Sequence, residues 1–122
     1  MDQQRILIID DDPETLDLCT NLLRKKGYHV LAHLGCDNLL SLVEEFSPHL
    51  IFIDHNMPRL CGADAIQLLK SRSKFKHIPM VLFSAEDNIE LLAKTAGADS
   101  WLKKPFESKT LFAKARKMIT AG

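Results

Sequence analysis

The chain of 122 residues has no excess of either charge: sixteen Lys and Arg stand against sixteen Asp and Glu. Nucleic-acid-binding domains are as a rule basic, so a direct nucleic-acid partner is not expected, and no global field draws the protein to an anionic membrane. Cysteine is scarce. Cys19, Cys36 and Cys61 are odd in number, lie far apart and make no CxxC or Cys/His ligand pattern, which excludes a disulfide framework and a zinc site and points to buried reduced thiols in a reducing compartment. Long apolar runs are absent too. The start "MDQQR" leads into only "ILII", too short for a signal-peptide core, and nothing approaches the roughly 18 residues of a membrane span. The expected location is the cytoplasm, with no membrane insertion. The five glycines never cluster into a phosphate-cradling loop: the first strand-to-helix turn reads "DDDPET", which argues against a flavodoxin-type redox role.

What is present is alternation. "RILIID" (5–10) is a continuous β-branched run of the kind buried on both faces of a sheet. A helix fits 13–26, with Asp12 as N-cap, Pro13 at the first helical position, Leu16, Cys19, Leu22 and Leu23 on one stripe, and Gly27 as its stop. "YHVLAHL", "HLIFID", "PMVLFS" and "DSWLKK" read as four more strands, and "DNLLSLVEEF", "GADAIQLLKSR", "DNIELLAKTAGA" and "ESKTLFAKARKMI" as four more helices. Five strand–helix pairs imply an α/β fold, (βα)5, with a doubly wound five-stranded parallel sheet. The commonest order for such a sheet is 2-1-3-4-5, with ligands bound outside the carboxyl ends of strands 1 and 3, where the winding reverses.

That topology carries Asp10 and Asp11, which end strand 1, to the same crevice as Asp54, which ends strand 3. One aspartate at 10–12 is explained by helix capping; three are not. Two unit charges about 4 Å apart repel by roughly 4 kcal/mol at an effective dielectric near 20, so the cluster requires a cation. With only oxygen ligands on offer, a hard ion is expected, and Mg²⁺ fits because it takes one or two carboxylates, keeps waters and leaves room for a phosphate oxygen. Strand 4 brings the Ser84 hydroxyl to the same rim, and strand 5 brings Lys103 or Lys104, of which the contact with Pro105 favours Lys104. A carboxylate nucleophile, a divalent cation, a hydroxyl donor and an ammonium suit phosphoryl transfer.

The ordered motifs "ILIIDDDP", "LIFIDHNMPRLCG", "VLFSAED" and "AGADSWLKKPF" resemble the response-regulator receiver domain of two-component signalling, in its stand-alone, chemotaxis-type form, over essentially residues 1–122 and with a flavodoxin-like fold. The resemblance implies that Asp54 is the phosphoacceptor, that Asp10 and Asp11 with Asp54 and the backbone carbonyl of Asn56 hold Mg²⁺, and that Ser84 and Lys104 contact the phosphoryl group. It further implies a cis Lys104–Pro105 bond, a switch residue at Trp101 coupled to Ser84, and tuning of hydrolysis by Asn56 and Glu86. Cys61 stands where "MDG" is frequent, and His55 after the acceptor is unusual. The implied partners are a sensor histidine kinase or histidine phosphotransfer protein and a downstream protein that the sequence does not name, bound at a surface including Trp101, Lys103, Glu90 and Lys94. Because only "TAG" follows the last helix, a single receiver domain without an output domain is expected. It would not be an enzyme acting on other substrates, its chemistry being Mg-dependent self-phosphotransfer and autodephosphorylation. Two alternatives stand beside this reading. One is a haloacid-dehalogenase-type phosphatase with Asp10 as nucleophile and Asp12 completing a DxD motif; the other is a pseudo-receiver serving only as a docking module.

Overall fold

The structure, a computed structural model, describes residues 3–56 and 62–121; the sequence reading of Cys61 lies outside them. The elements run β1 (Arg5–Asp10), α1 (Pro13–Lys25), β2 (His29–Leu34), α2 (Leu39–Phe46), β3 (Leu50–Asp54), α3 (Gly62–Lys70), β4 (Met80–Ser84), α4 (Ile89–Ala96), β5 (Ser100–Lys103) and α5 (Ser108–Ala121). All strand pairs are parallel, and the order is β2-β1-β3-β4-β5, as expected from the alternation.

The inner strands β1, β3 and β4 are buried along almost their whole length because both faces of the sheet are covered there, and the pleat sorts their side chains between two cores. Leu7, Ile9, Ile51, Ile53, Met80 and Leu82 point to the face covered by α2, α3 and α4. Ile6, Ile8, Leu50, Phe52, Val81, Phe83 and Leu102 point the other way and pack on Leu16, Cys19 and Leu23 of α1 and Leu111 and Ala115 of α5. Cys19 is fully enclosed in this second core, whereas Cys36, expected to be buried, is only half-buried because it sits in the loop after the edge strand β2.

Helix ends follow local chemistry. The Asp12 carboxylate accepts from the Glu14 amide at 3.3 Å and from the Thr15 hydroxyl at 2.7 Å, and Pro13 opens α1. These bonds, the Thr15 hydroxyl first, hold the Asp12 carboxyl below the usual carboxylate range. Helix α2 starts at Leu39, two residues into the expected 37–46 stretch, because Asn38 adopts a left-handed backbone with φ of 58° that cannot continue into the helix.

At the amino-terminal end of the sheet, Lys70 ties three segments together. Its ammonium donates to the carbonyls of Lys76 and Ile78, at 3.0 and 2.9 Å, and to Asp99 at 2.7 Å. Asp99 in turn accepts from the Met80 amide at 2.8 Å. Replacing the donor leaves two carbonyls and a carboxylate short of a partner, each costing about 1 kcal/mol or more. Lys70→Met is therefore expected to lower stability by about 1–3 kcal/mol in urea unfolding without changing chemistry at the opposite end of the sheet.

Candidate functional site

The carboxyl ends of β1, β3, β4 and β5 form one rim. The parity that sends Ile6 and Ile8, and Leu50 and Phe52, toward α1 and α5 gives Asp10 and Asp54 the same direction, since they continue those series two residues on. On β5, Leu102 points to that face, so Lys104 follows it and Lys103 does not. The structure agrees. The Lys104 ammonium donates to Asp10 and to Asp54, at 2.9 Å each, while Lys103 turns outward to Asp87 at 2.6 Å. Strand β5 is held in register by the Lys104 amide bonding the Ser84 carbonyl at 2.8 Å, and the Lys104–Pro105 peptide is cis, as the resemblance implied. Beyond it Phe106 stacks on Phe83 at 5.2 Å, and Phe83 on Phe52 at 5.0 Å, anchoring the segment that carries the lysine.

Asp10, Asp11 and Asp54 each place a carboxylate oxygen within 4.8 Å of the others. Asp12 is not in the group, being occupied by the helix cap. The chain crowds three aspartates because they do two jobs: the last starts a helix, and the first two face Asp54. Asp10 is fully buried, Asp54 nearly so, and Asp11 is exposed at the mouth. Burial, followed by the charges of Asp10 and Asp11, pushes the Asp54 carboxyl up to about 6 despite its bond to Lys104. Burial opposes the charge on Lys104, but its bonds to Asp10 and Asp54 outweigh that and hold its ammonium above the ordinary lysine range. Cys19, behind the cluster, is pushed up to about 11 by burial and by Asp10, so its thiol is no nucleophile. Three carboxylates sharing one ammonium are still short of positive charge. An all-oxygen donor set of this size fits a hard divalent cation.

Ser84 is fully buried at the tip of β4, and its hydroxyl oxygen accepts from the Glu86 amide at 3.0 Å, leaving its proton free to donate. Asn56 lies exposed two residues past Asp54. Trp101 is half-buried against the α2–α4 core, with the Lys114 ammonium 5.9 Å from its ring, on the sheet face opposite Asp10 and Asp54.

Sequence reasoning missed Gly62. A Cβ there would come within 2.3 Å of the Asp54 carbonyl oxygen and 2.9 Å of the His55 Cα, and the Gly62 amide bonds the His55 carbonyl at 3.1 Å. Only glycine lets α3 begin directly against the backbone that presents Asp54. The one sequence signal was a glycine eight residues after that aspartate.

This chain belongs to the response regulator receiver domain family, whose family model matches residues 6–116; it is a phosphoacceptor module of phosphorelay signalling. Among particular proteins it is similar to Protein PilG of Pseudomonas aeruginosa, 32% identical over 117 residues that cover 91% of this chain and 87% of that protein. It is also similar to the DNA-binding response regulator MtrA of Mycolicibacterium smegmatis, 33% identical over 116 residues, 93% of this chain but 50% of MtrA. The chain thus spans about half the length of MtrA. The chemotaxis response regulator CheY4 of Vibrio cholerae shares its fold, with a TM-score of 0.88 at 24% identity over 96% of this chain and 99% of that one. The phosphatase alternative is not favoured: Asp12, which its DxD motif needs, faces away into the helix cap. The docking-only alternative is not favoured either, since the acidic group and Lys104 converge.

Two outcomes are expected. Gly62→Ala should cost about 1–3 kcal/mol of stability by overpacking and displace Asp54, read as broadened or shifted Asp54 and His55 amide resonances. In metal-free protein, ionising Asp54 is harder in the folded state than in the unfolded chain, where its value is 3.8. Its contribution to stability is then complete below that value and lost as pH rises through about 6. Urea unfolding in chelator should show Asp54→Asn gaining about 1–3 kcal/mol on wild type between those limits, then levelling; a constant offset would contradict the raised carboxyl.

Proposed function

We propose that Asp54 takes a phosphoryl group from the phosphohistidine of a sensor histidine kinase or histidine phosphotransfer protein. The observation that carries this reading is the nearly buried Asp54 carboxylate sharing the Lys104 ammonium with Asp10 across forty-four residues of sequence. An Asp54 oxygen attacks phosphorus in line, the P–N bond breaks, and the histidine nitrogen leaves with its electron pair, giving an aspartyl phosphate. Lys104 turns from Asp54 toward a phosphoryl oxygen, and the free Ser84 proton donates to another; both neutralise charge that grows in the transition state. Asp10 and Asp11, with Asp54 and the backbone carbonyl of Asn56, are the residues that would hold Mg²⁺. Bound there, it would supply positive charge to the transferring oxygens and relieve the repulsion among the carboxylates. The same residues and a water account for slow autodephosphorylation.

Support for a protein donor comes from a groove of about 370 Å³ beside Lys104, lined by Thr15, Leu18, Cys19, Ala85, Pro105 and Phe106. Leu18 is 59% exposed at its edge, an apolar contact next to the reacting atoms. The output is the binding of a downstream protein, not nucleic acid, at the face of α4, β5 and α5. Drawing Ser84 inward shifts the loop that Lys103 holds through Asp87, next to Trp101 and to the Glu90–Lys94 pair of α4. The matched region acts as a single receiver domain. Among the described residues no helix is long and apolar enough to cross a membrane, and a site that needs a kinase's phosphohistidine and a reduced Cys19 suits the cytoplasm.

The test is intact mass after treatment with a small-molecule phosphodonor. Wild type is expected to gain one phosphoryl group with Mg²⁺ and none in chelator, and Asp54→Asn to gain none. Undiminished labelling of Asp54→Asn, with loss in Asp10→Asn, would overturn the assignment.

A further inference from the structure

Residues scattered through the chain meet at the opposite end of the sheet, about five residues or 17 Å down β1 from Asp10. A cleft of about 240 Å³ lies there between the start of β1, the α2–β3 turn and the α3–β4 loop. Its floor is apolar, made by Val43, Phe75 and Ile78, all buried. Its wall is nitrogenous: Arg5, His49, Lys74 and His77 line it, and Glu44 is the one acid among its lining residues.

Arg5 is fixed rather than loose. Its Nε donates to the carbonyls of Phe46 and Ser47, at 3.0 and 2.8 Å, and Ser47 holds a left-handed backbone, φ of 52°, that turns both oxygens toward it. The two terminal nitrogens of the guanidinium find no carboxylate among the described residues, although the side chain is half-buried. His49 is fixed as well. Its Nδ1 accepts from the Arg5 amide at 2.9 Å while its own amide donates to the Arg5 carbonyl at 2.8 Å. An Nδ1 that accepts leaves the proton of the neutral ring on Nε2, so His49, which lines the cleft, keeps one N–H to donate and is no metal ligand through Nδ1. Burial, then Arg5, keeps its ring below the usual histidine range and hence neutral. Lys74 pairs with Glu44 at the exposed mouth, so among the described residues no carboxylate is left to meet the Arg5 charge.

We propose that this cleft is a second ligand site, which binds a small organic oxyanion, a phosphate monoester or a carboxylate on a short apolar stem, between Arg5 and His49. With Nε taken up by the two carbonyls, the terminal nitrogens, which meet no carboxylate among the described residues, remain as parallel donors that match an oxyanion. The neutral His49 Nε2–H adds a third donor, the apolar floor takes the stem, and the volume, at about 30 Å³ per water, holds such a molecule with a few waters. The site shares no residue with the acidic rim and does not depend on phosphorylation of Asp54.

The experiment is an amide-resolved NMR titration of the whole chain in chelator with butyl phosphate and butyrate, and with butylammonium as the cationic control. Saturable shifts confined to the amides of Arg5, Val43, Glu44, Ser47, His49 and residues 74–78, given by at least one acid and not by the amine, are expected, and the tighter acid names the headgroup. Arg5→Gln should weaken binding about tenfold. Glu44→Gln, an exposed change that leaves the fold alone, should strengthen it about two- to fivefold by removing the only opposing charge. Asp54→Asn should leave it unchanged. Shifts that rise without saturating, that centre on the Asp54 rim, or that butylammonium reproduces would overturn the site. So would a Glu44→Gln variant that binds more weakly than wild type.

Discussion

The structure turns on one ammonium held between two carboxylates that have no other reason to be close. Lys104 reaches Asp10 and Asp54 at 2.9 Å each, and Asp11 adds a third negative charge at the mouth. Like charges at such separations cost several kcal/mol in a protein environment, and one lysine cannot balance three acids. The fold tolerates the imbalance because the carboxylates sit at the ends of β1 and β3, whose interiors are anchored by two buried cores. Stability is made along the strands and spent at their tips, as sites built for charge transfer require. The up-shifted Asp54 carboxyl is the signature of that arrangement: a group kept buried near its own kind, as the proposed phosphoacceptor role would use.

Pleat parity does more than select Lys104 over Lys103. It divides the rim between the two faces of the sheet. Asp10, Asp54 and Lys104 continue the series that packs on α1 and α5, whereas Ser84 continues Met80 and Leu82 and shares the α4 face with Trp101 and Lys103. Ser84 is therefore the one polar side chain of the set that belongs to the rim by position and to the α4 side by parity. Under the proposed function, a phosphoryl oxygen bonded to it would be felt on the face where α4 and β5 meet solvent, while the acidic group lies on the other. The separation of reaction from readout is in this sense a property of two-residue periodicity.

Much of this was legible in the sequence because it depends on local pattern. Short apolar runs marked the strands, alternation marked the parallel order, and the cap position before Pro13 set Asp12 apart from its two neighbours. What escaped was set by tertiary approach or by scattered residues. Asn38 starts α2 late through a left-handed turn that composition does not announce. Gly62 matters because the Asp54 carbonyl lies 2.3 Å from where its Cβ would be, a contact between a helix start and a strand end that no spacing rule encodes. Cys36 was expected to be buried on the strength of its apolar neighbours, but an edge-strand loop has only one side to hide.

The balanced composition concealed a polarity. A net charge of zero means no global field, but it says nothing of how the charges are distributed. The fold groups particular charges at its ends: Asp10, Asp11 and Asp54 gather where β1 and β3 finish, and Arg5 and Lys74, with His49 and His77, line a cleft where the strands begin. A parallel sheet makes this possible because every strand start lies at one end and every strand finish at the other, so residues far apart in sequence are pooled by their place within an element. Charge at the finishing end has an ammonium to meet it. Arg5 at the starting end meets, among the described residues, carbonyls and no carboxylate, and carbonyls orient a guanidinium without neutralising it. An oriented, uncompensated charge over an apolar floor is a binding surface on the same grounds as the acidic rim, with the signs reversed.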